Sequence, residues 1–321
     1  MGPLMMPDIP DDFEGSDRFH LDDGSVGWTA PELVRQAGPR KSGQGSATLL
    51  RLELNALALR YAAKRSLLHD TTTGGSPCVV FGPEGTASGP RHGNFIDEAY
   101  RAILADVAWS ARLEKAHTAH RRAWPRTDWR WRELDAATSS DALLMNVFCF
   151  PGVLDGAAGL GLRVLLGIGA GVRSEFGFKP RIPLTNGRFD RTEIDLRLGS
   201  LLVEAKLTES DFQQARPALV ERYRDLLEAF EPEIVAGKTS VVGYQLIRGT
   251  LAAMAVPSGS FCVLADARRP DLLEQWYSVM SRVRTGELRC RLQMLTWQEV
   301  CAVLPVRLQE FLGEKYGILP A

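Results

Sequence analysis

Asp195, Glu204 and Lys206 lie within one short stretch, RTEIDLRLGSLLVEAKLTE, Arg191 to Glu209. Two carboxylates held close together repel each other, and a divalent cation between them removes the repulsion. Oxygen ligands alone suit a hard ion, Mg2+ first and Mn2+ second, with no need of His or Cys. Asp195, Glu204 and the Ala205 carbonyl form the candidate metal set. Lys206, two residues beyond Glu204, is spaced to touch a phosphate oxygen or to help a water lose its proton. The chemistry this set offers is phosphodiester hydrolysis.

Such a set needs a rigid carrier, and the alternation around it predicts a β-hairpin. Ile194, Leu196 and Leu198 alternate with Glu193, Asp195 and Arg197, and Leu201 to Leu207 alternates again. Gly199-Ser200 between them suits a two-residue type II′ turn, which sets the register. Leu198 then faces Leu201, Leu196 faces Val203, Asp195 faces Glu204 and Glu193 faces Lys206. Ile194, Leu196, Leu198, Leu201, Val203 and Ala205 make an apolar face; Asp195, Glu204 and Lys206 share the other. The alternative is an ordinary amphipathic hairpin with a Glu193–Lys206 ion pair.

Asp-x8-Glu-x-Lys on a hairpin resembles the metal-binding core of the PD-(D/E)XK nucleases, which include many restriction endonucleases; Ile194 stands where that name has Pro. SSDALLMNVF, Ser139 to Phe148, resembles the Ser-Ser-x-Ala-x-x-x-Asn-x-Phe helix of the restriction-endonuclease-like family labelled PGN_0703-like, a likeness that runs from Gly93 to the C-terminus. It implies a metal-dependent nuclease acting on DNA, an endonuclease of restriction or defence type. Gln245 and Arg248 would then lie close to the phosphate or the water, and the first core helix would bring a further acid. Asp141, Asn146 and Glu175 are the candidates for that position, so the candidate catalytic set is Asp195, Glu204, Lys206, Glu175 and Gln245. A second class of function is a DNA- or protein-binding module that keeps the nuclease fold without turnover.

The whole chain sets bounds. Its 321 residues, 45% hydrophobic, suffice for a sizeable core. A net charge of −1 excludes a uniformly basic nucleic-acid coat, so DNA contact needs a local patch. Lys115 to Glu133 offers one, with six Lys or Arg against two acids and Trp124, Trp129 and Trp131 interleaved; packed tryptophans with solvated arginines are the alternative. Five cysteines without Cys-x-x-Cys spacing argue against a disulfide scaffold or zinc knuckle and point to a reduced cytoplasm. Met1 to Asp23 lacks the apolar core of a secretory signal, and Ala142 to Val172 is too broken for a membrane span. GLGLRVLLGIGAG lacks the Gly-Lys-Ser/Thr ending of a nucleotide loop and is expected to be a helix followed by a loop. DNA is the expected partner, and a homodimer is left open.

The expected fold class is α/β: a three-layer restriction-endonuclease-like core with a mixed central sheet flanked by helices, plus an N-terminal helical extension. Residues 1–45 are expected as a poorly ordered acidic tail and linker with one short helix near Thr29–Gln36, residues 46–135 as the helical extension and 136–321 as the core. Helices are expected at Ala47–His69, from an Asn94 N-cap to His120, from Ser139 or Ser140, within Phe212–Phe230, over VVGYQLIRGTLAAMAV, at Asp271–Arg284 and, last, after Thr296. Strands are expected at Cys78–Phe81, SEFGFKPRI, the hairpin, Ser260–Asp266 and Arg289–Leu295.

Overall fold

The computed structural model describes residues 42–72, 77–87, 89–115 and 132–321. The expected helix near Thr29–Gln36 and most of the Arg/Trp-rich stretch, with Trp124, Trp129 and Trp131, lie outside them.

At the centre is a five-stranded sheet of β1 (Ser174–Phe178), β2 (Ile194–Leu198), β3 (Leu201–Ala205), β4 (Ser260–Ala265) and β5 (Leu292–Thr296), in the order β5-β4-β3-β2-β1. β1, β2 and β3 pair antiparallel, and β3, β4 and β5 pair parallel. The sheet is therefore mixed, and β3 is its middle strand. Leu196, Leu198, Leu201 and Val203 join one buried cluster, while Leu202, Phe261 and Val263 join another on the opposite face. β3 is buried at all five positions, because both faces of a strand flanked by helical layers are covered.

Helices α1 (Ser42–Arg65), α2 (Asp97–Ala105), α3 (Val107–Arg112) and α4 (Ser140–Phe148) precede the sheet; α5 (Tyr244–Ala255) and α6 (Pro270–Met280) make the crossovers to β4 and β5. α7 (Trp297–Ala302) and α8 (Val306–Tyr316) close the chain. α1, α2, α4, α7 and α8 contribute to the first cluster, α5 and α6 to the second. Gly249 lets α5 lie close on the sheet, since a Cβ there would come within 2.3 Å of the Phe261 ring. No helix among the described residues is long and apolar enough to cross a membrane, and all five cysteines are free thiols, Cys149, Cys262 and Cys301 being buried.

Several expected elements differ. α1 begins at Ser42, inside the stretch expected as linker. The helix expected from Asn94 to His120 is two helices, because the Asp106 carboxylate accepts the Ala108 and Trp109 N–H groups and caps a new start. Asn94 does not cap α2; it is buried and donates to the Leu134 and Ala136 carbonyls. The Phe212–Phe230 run holds two short helices, Pro217–Glu221, with Pro217 in its first turn, and Leu226–Ala229. The helix capped by Thr296 is not the last, for α8 follows it.

Candidate functional site

β2 and β3 part at Asp195, beside the candidate residues. Gly199, at φ +63°, turns the hairpin, and the register Leu198–Leu201, Arg197–Leu202, Leu196–Val203 follows. The ladder then stops. The Ala205 N–H donates to Asp195 Oδ2 at 2.8 Å, so the Asp195 side chain takes the place of a strand carbonyl. Beyond this split Ile194 packs in the second cluster, not with Leu196 and Leu198 as its alternation predicts. Glu193 is drawn to Arg112, at 2.6 Å, and to Lys115, at 3.6 Å, and forms no pair with Lys206.

Glu204 is buried, and one of its oxygens accepts both the Lys206 ammonium at 2.8 Å and the Gln245 amide at 2.9 Å. Gln245 is carried by the first turn of α5, which runs above β3. The Lys206 backbone is held on both sides: its N–H donates to the Leu264 carbonyl at 2.8 Å, and its own carbonyl accepts the Trp297 indole N–H at 3.1 Å. Asp195, Glu204, Ala205, Lys206 and Gln245 border one cleft of about 270 Å³, together with Lys115, Asp141 and Glu209. Larger hollows of about 500 and 400 Å³ lie elsewhere and include none of these residues.

Glu175 does not join them. Ser174 turns inward from β1 and Glu175, its neighbour, turns outward, where it is exposed opposite Arg197 at 3.6 Å. Asn146 is also spent elsewhere: its amide accepts from the Ile96 N–H and donates to the Asn94 and Ala142 carbonyls, which fixes the start of α2. Of the three candidates for the extra acid, Asp141 alone reaches the cleft, and it accepts Lys115 at 2.5 Å and Arg112 at 3.1 Å. Arg248 is buried, with one weak bond to the Glu193 carbonyl at 3.4 Å. Two residues outside the candidate catalytic set also border the cleft. Glu209 bridges the Ser140 hydroxyl and the Leu207 N–H, both at 2.6 Å, and Lys115 comes from the end of the helical segment. Glu209 lies within RTEIDLRLGSLLVEAKLTE, and Lys115 opens the basic Lys115–Glu133 stretch read as a patch for DNA contact; nothing local places either at this cleft.

The electrostatics are strained by design of the cleft. Burial, then the Glu204 and Asp141 charges, push the Asp195 carboxyl well above its ordinary range, against the pull of Lys206 and the Ala205 N–H. Burial works against the Lys206 ammonium, but Glu204, Glu209 and Asp195 together outweigh it and raise its pKa. Lys115 likewise overcomes burial through Asp141. Both lysines are therefore charged at neutral pH.

These residues fit a hard cation. The donors are oxygens, the Asp195 carboxyl is disfavoured as an anion by burial and by the Glu204 and Asp141 charges, and the Gln245 Oε1 is buried with no hydrogen-bond partner. No group of three or more His, Cys, Asp or Glu among the described residues is arranged to hold a metal. An ion would thus rest on two carboxylates and neutral oxygens.

Comparison with known families decides the kinship. A model described as Restriction Endonuclease associating with ARP matches residues 63–317. The chain belongs to this family. Its match takes in all five sheet strands and the whole cleft, and the mixed five-stranded sheet between helices is the restriction-endonuclease-like core that such membership requires. The family is described differently from the PGN_0703-like one that Ser139–Phe148 resembles; the restriction-endonuclease character is common to both. No curated protein and no solved structure matches the chain.

Proposed function

We propose that the chain is a nuclease of the PD-(D/E)XK type that hydrolyses DNA phosphodiester bonds with Mg2+ or Mn2+, an endonuclease of restriction or defence type. The observation that carries this is the meeting of Asp195, Glu204, Lys206 and the unpartnered Gln245 oxygen at one cleft of a restriction-endonuclease family member. Asp195, Glu204, the Ala205 carbonyl and Gln245 would hold the ion. When bound, it supplies Lewis-acid polarisation of the phosphate and lowers the pKa of water. The Ala205 N–H aims the Asp195 carboxylate, and Lys206 and Gln245 orient Glu204. Lys206, fully protonated, stabilises negative charge as it develops on the phosphate oxygens. Association with ARP, named in the family description, is the protein partner this reading brings to the chain.

One contact favours a second reading. Lys206 and Glu204 already form a buried ion pair at 2.8 Å, as a DNA- or protein-binding module without turnover would have them. Plasmid incubated with the protein in Mg2+ or Mn2+, with an EDTA control, separates the two. A nuclease nicks or linearises it only with metal; a binding module shifts it and leaves it intact.

A further inference from the structure

We propose that Lys115, a residue outside the hairpin motif, grips a phosphate of the bound strand, and that Asp141 is its anchor and not a metal ligand. The inference rests on the nuclease reading above.

The cleft is acidic. Among the described residues, Glu133, Asp141, Asp195, Glu204, Glu209 and Asp211 border it against two cations, Lys115 and Lys206. A nucleic-acid strand carries one negative charge per phosphate and needs positive groups to hold it there. Lys206 is poorly placed to greet it, since its side chain is 6% exposed and its ammonium lies on Glu204. Lys115 has 26% of its side chain exposed and borders the same cleft.

Two acids and two cations form a closed square behind it. Asp141 accepts Lys115 at 2.5 Å and Arg112 at 3.1 and 3.3 Å; Glu193 accepts Arg112 at 2.6 Å and lies 3.6 Å from Lys115. The Arg112 corner is shut away, at 9% exposure, and the Lys115 corner opens on the cleft. An ammonium has three N–H donors; Asp141 takes one, and Glu193, at 3.6 Å, is beyond hydrogen-bond reach, so donors remain for an incoming oxygen. Both Asp141 oxygens are occupied by these cations, which leaves the carboxylate committed to them. Asp141 is thus a positioning residue, and it places a charge that the hairpin does not supply.

The test compares the parent with Lys115→Met, Lys115→Arg and Asp141→Asn. Duplex binding is measured across a salt series in Ca2+, a hard ion with the same taste for oxygen, and Mn2+ affinity by calorimetry without DNA. Lys115→Met should weaken duplex binding and lower the slope of log K against log salt by about one. Lys115→Arg should restore the slope. Asp141→Asn should weaken the duplex in the same way and keep its Mn2+ affinity within about threefold. A parental slope in Lys115→Met overturns the proposal, as does a tenfold loss of Mn2+ affinity in Asp141→Asn. Lys115→Met leaves Asp141 paired with Arg112, so the two Lys115 variants decide the phosphate contact even if Asp141→Asn fails to fold. A parent that neither binds nor cuts duplex overturns the nuclease reading and this inference with it; a parent that cuts while Lys115→Met keeps its slope overturns this inference alone.

Discussion

The Asp195 carboxylate accepts the Ala205 N–H at 2.8 Å, at the point where an unbroken antiparallel ladder would offer a backbone carbonyl. The strand split and the aim of the candidate metal ligand are therefore one feature. Asparagine keeps an oxygen for that N–H but removes the repulsion with Glu204. Asp195→Asn should leave the metal-free protein no less stable, and should abolish the rise in Tm that metal gives the parent. That rise corresponds to about 2.7 kcal/mol when free metal is a hundred times its Kd. Melts of both proteins in EDTA and in millimolar Mg2+ or Mn2+ check this; equal shifts, or none, would remove the metal site.

Acidity offers an independent handle on the same group. With the folded pKa of Asp195 raised above its unfolded value, the folded chain binds more protons between the two. Its contribution therefore favours folding below the ordinary carboxylate range and is lost as pH rises toward the raised value. Urea unfolding in EDTA should show this decline in the parent and a flatter profile in Asp195→Asn. Identical profiles would mean that the repulsion is not felt.

Lys206→Ala should abolish cleavage, by a factor of about 10² or more. It also strips Glu204, 3% exposed, of its ammonium and leaves only the Gln245 amide beside it. An unpaired buried charge costs about 3–5 kcal/mol, so the metal-free variant should unfold at lower urea and regain part of the loss with metal. Single-turnover plasmid cleavage and urea melts read the two effects separately; parental cleavage would end the role assigned to this lysine.

Glu175→Gln should change little. An exposed carboxylate 3.6 Å from a surface arginine contributes at most about 1 kcal/mol. Cleavage should stay within about twofold of the parent. A hundredfold loss would return Glu175 to the site.

What could be read from the chain was local. The hairpin followed from alternation and from Gly199-Ser200, because period and turn chemistry act over a few residues. Gln245 meets Glu204 on an expected helix. The failures share a cause in distant contacts. Glu193 was expected to face Lys206, but Arg112, 81 residues earlier, takes it. Glu175 looked eligible because alternation says that neighbours face opposite ways, not which of them faces the site. Asn94 has the composition of an N-cap, yet the carbonyls of Leu134 and Ala136 claim its amide. Ile194 leaves its predicted face because the ladder opens at Asp195, a break that no pattern of apolar residues encodes.

The two bonds that grip the Lys206 backbone carry a consequence for how the protein comes into being. The hairpin can close as soon as residue 205 is made, for its contacts are near in sequence. The lysine cannot be set so early: its N–H waits for Leu264 and its carbonyl for Trp297, on elements made far later. Parallel pairing of such separated segments is slow to form. A chain still emerging from the ribosome can thus assemble the carboxylates while the lysine stays unplaced, and the candidate site is complete only when the last strand and the helix after it have docked.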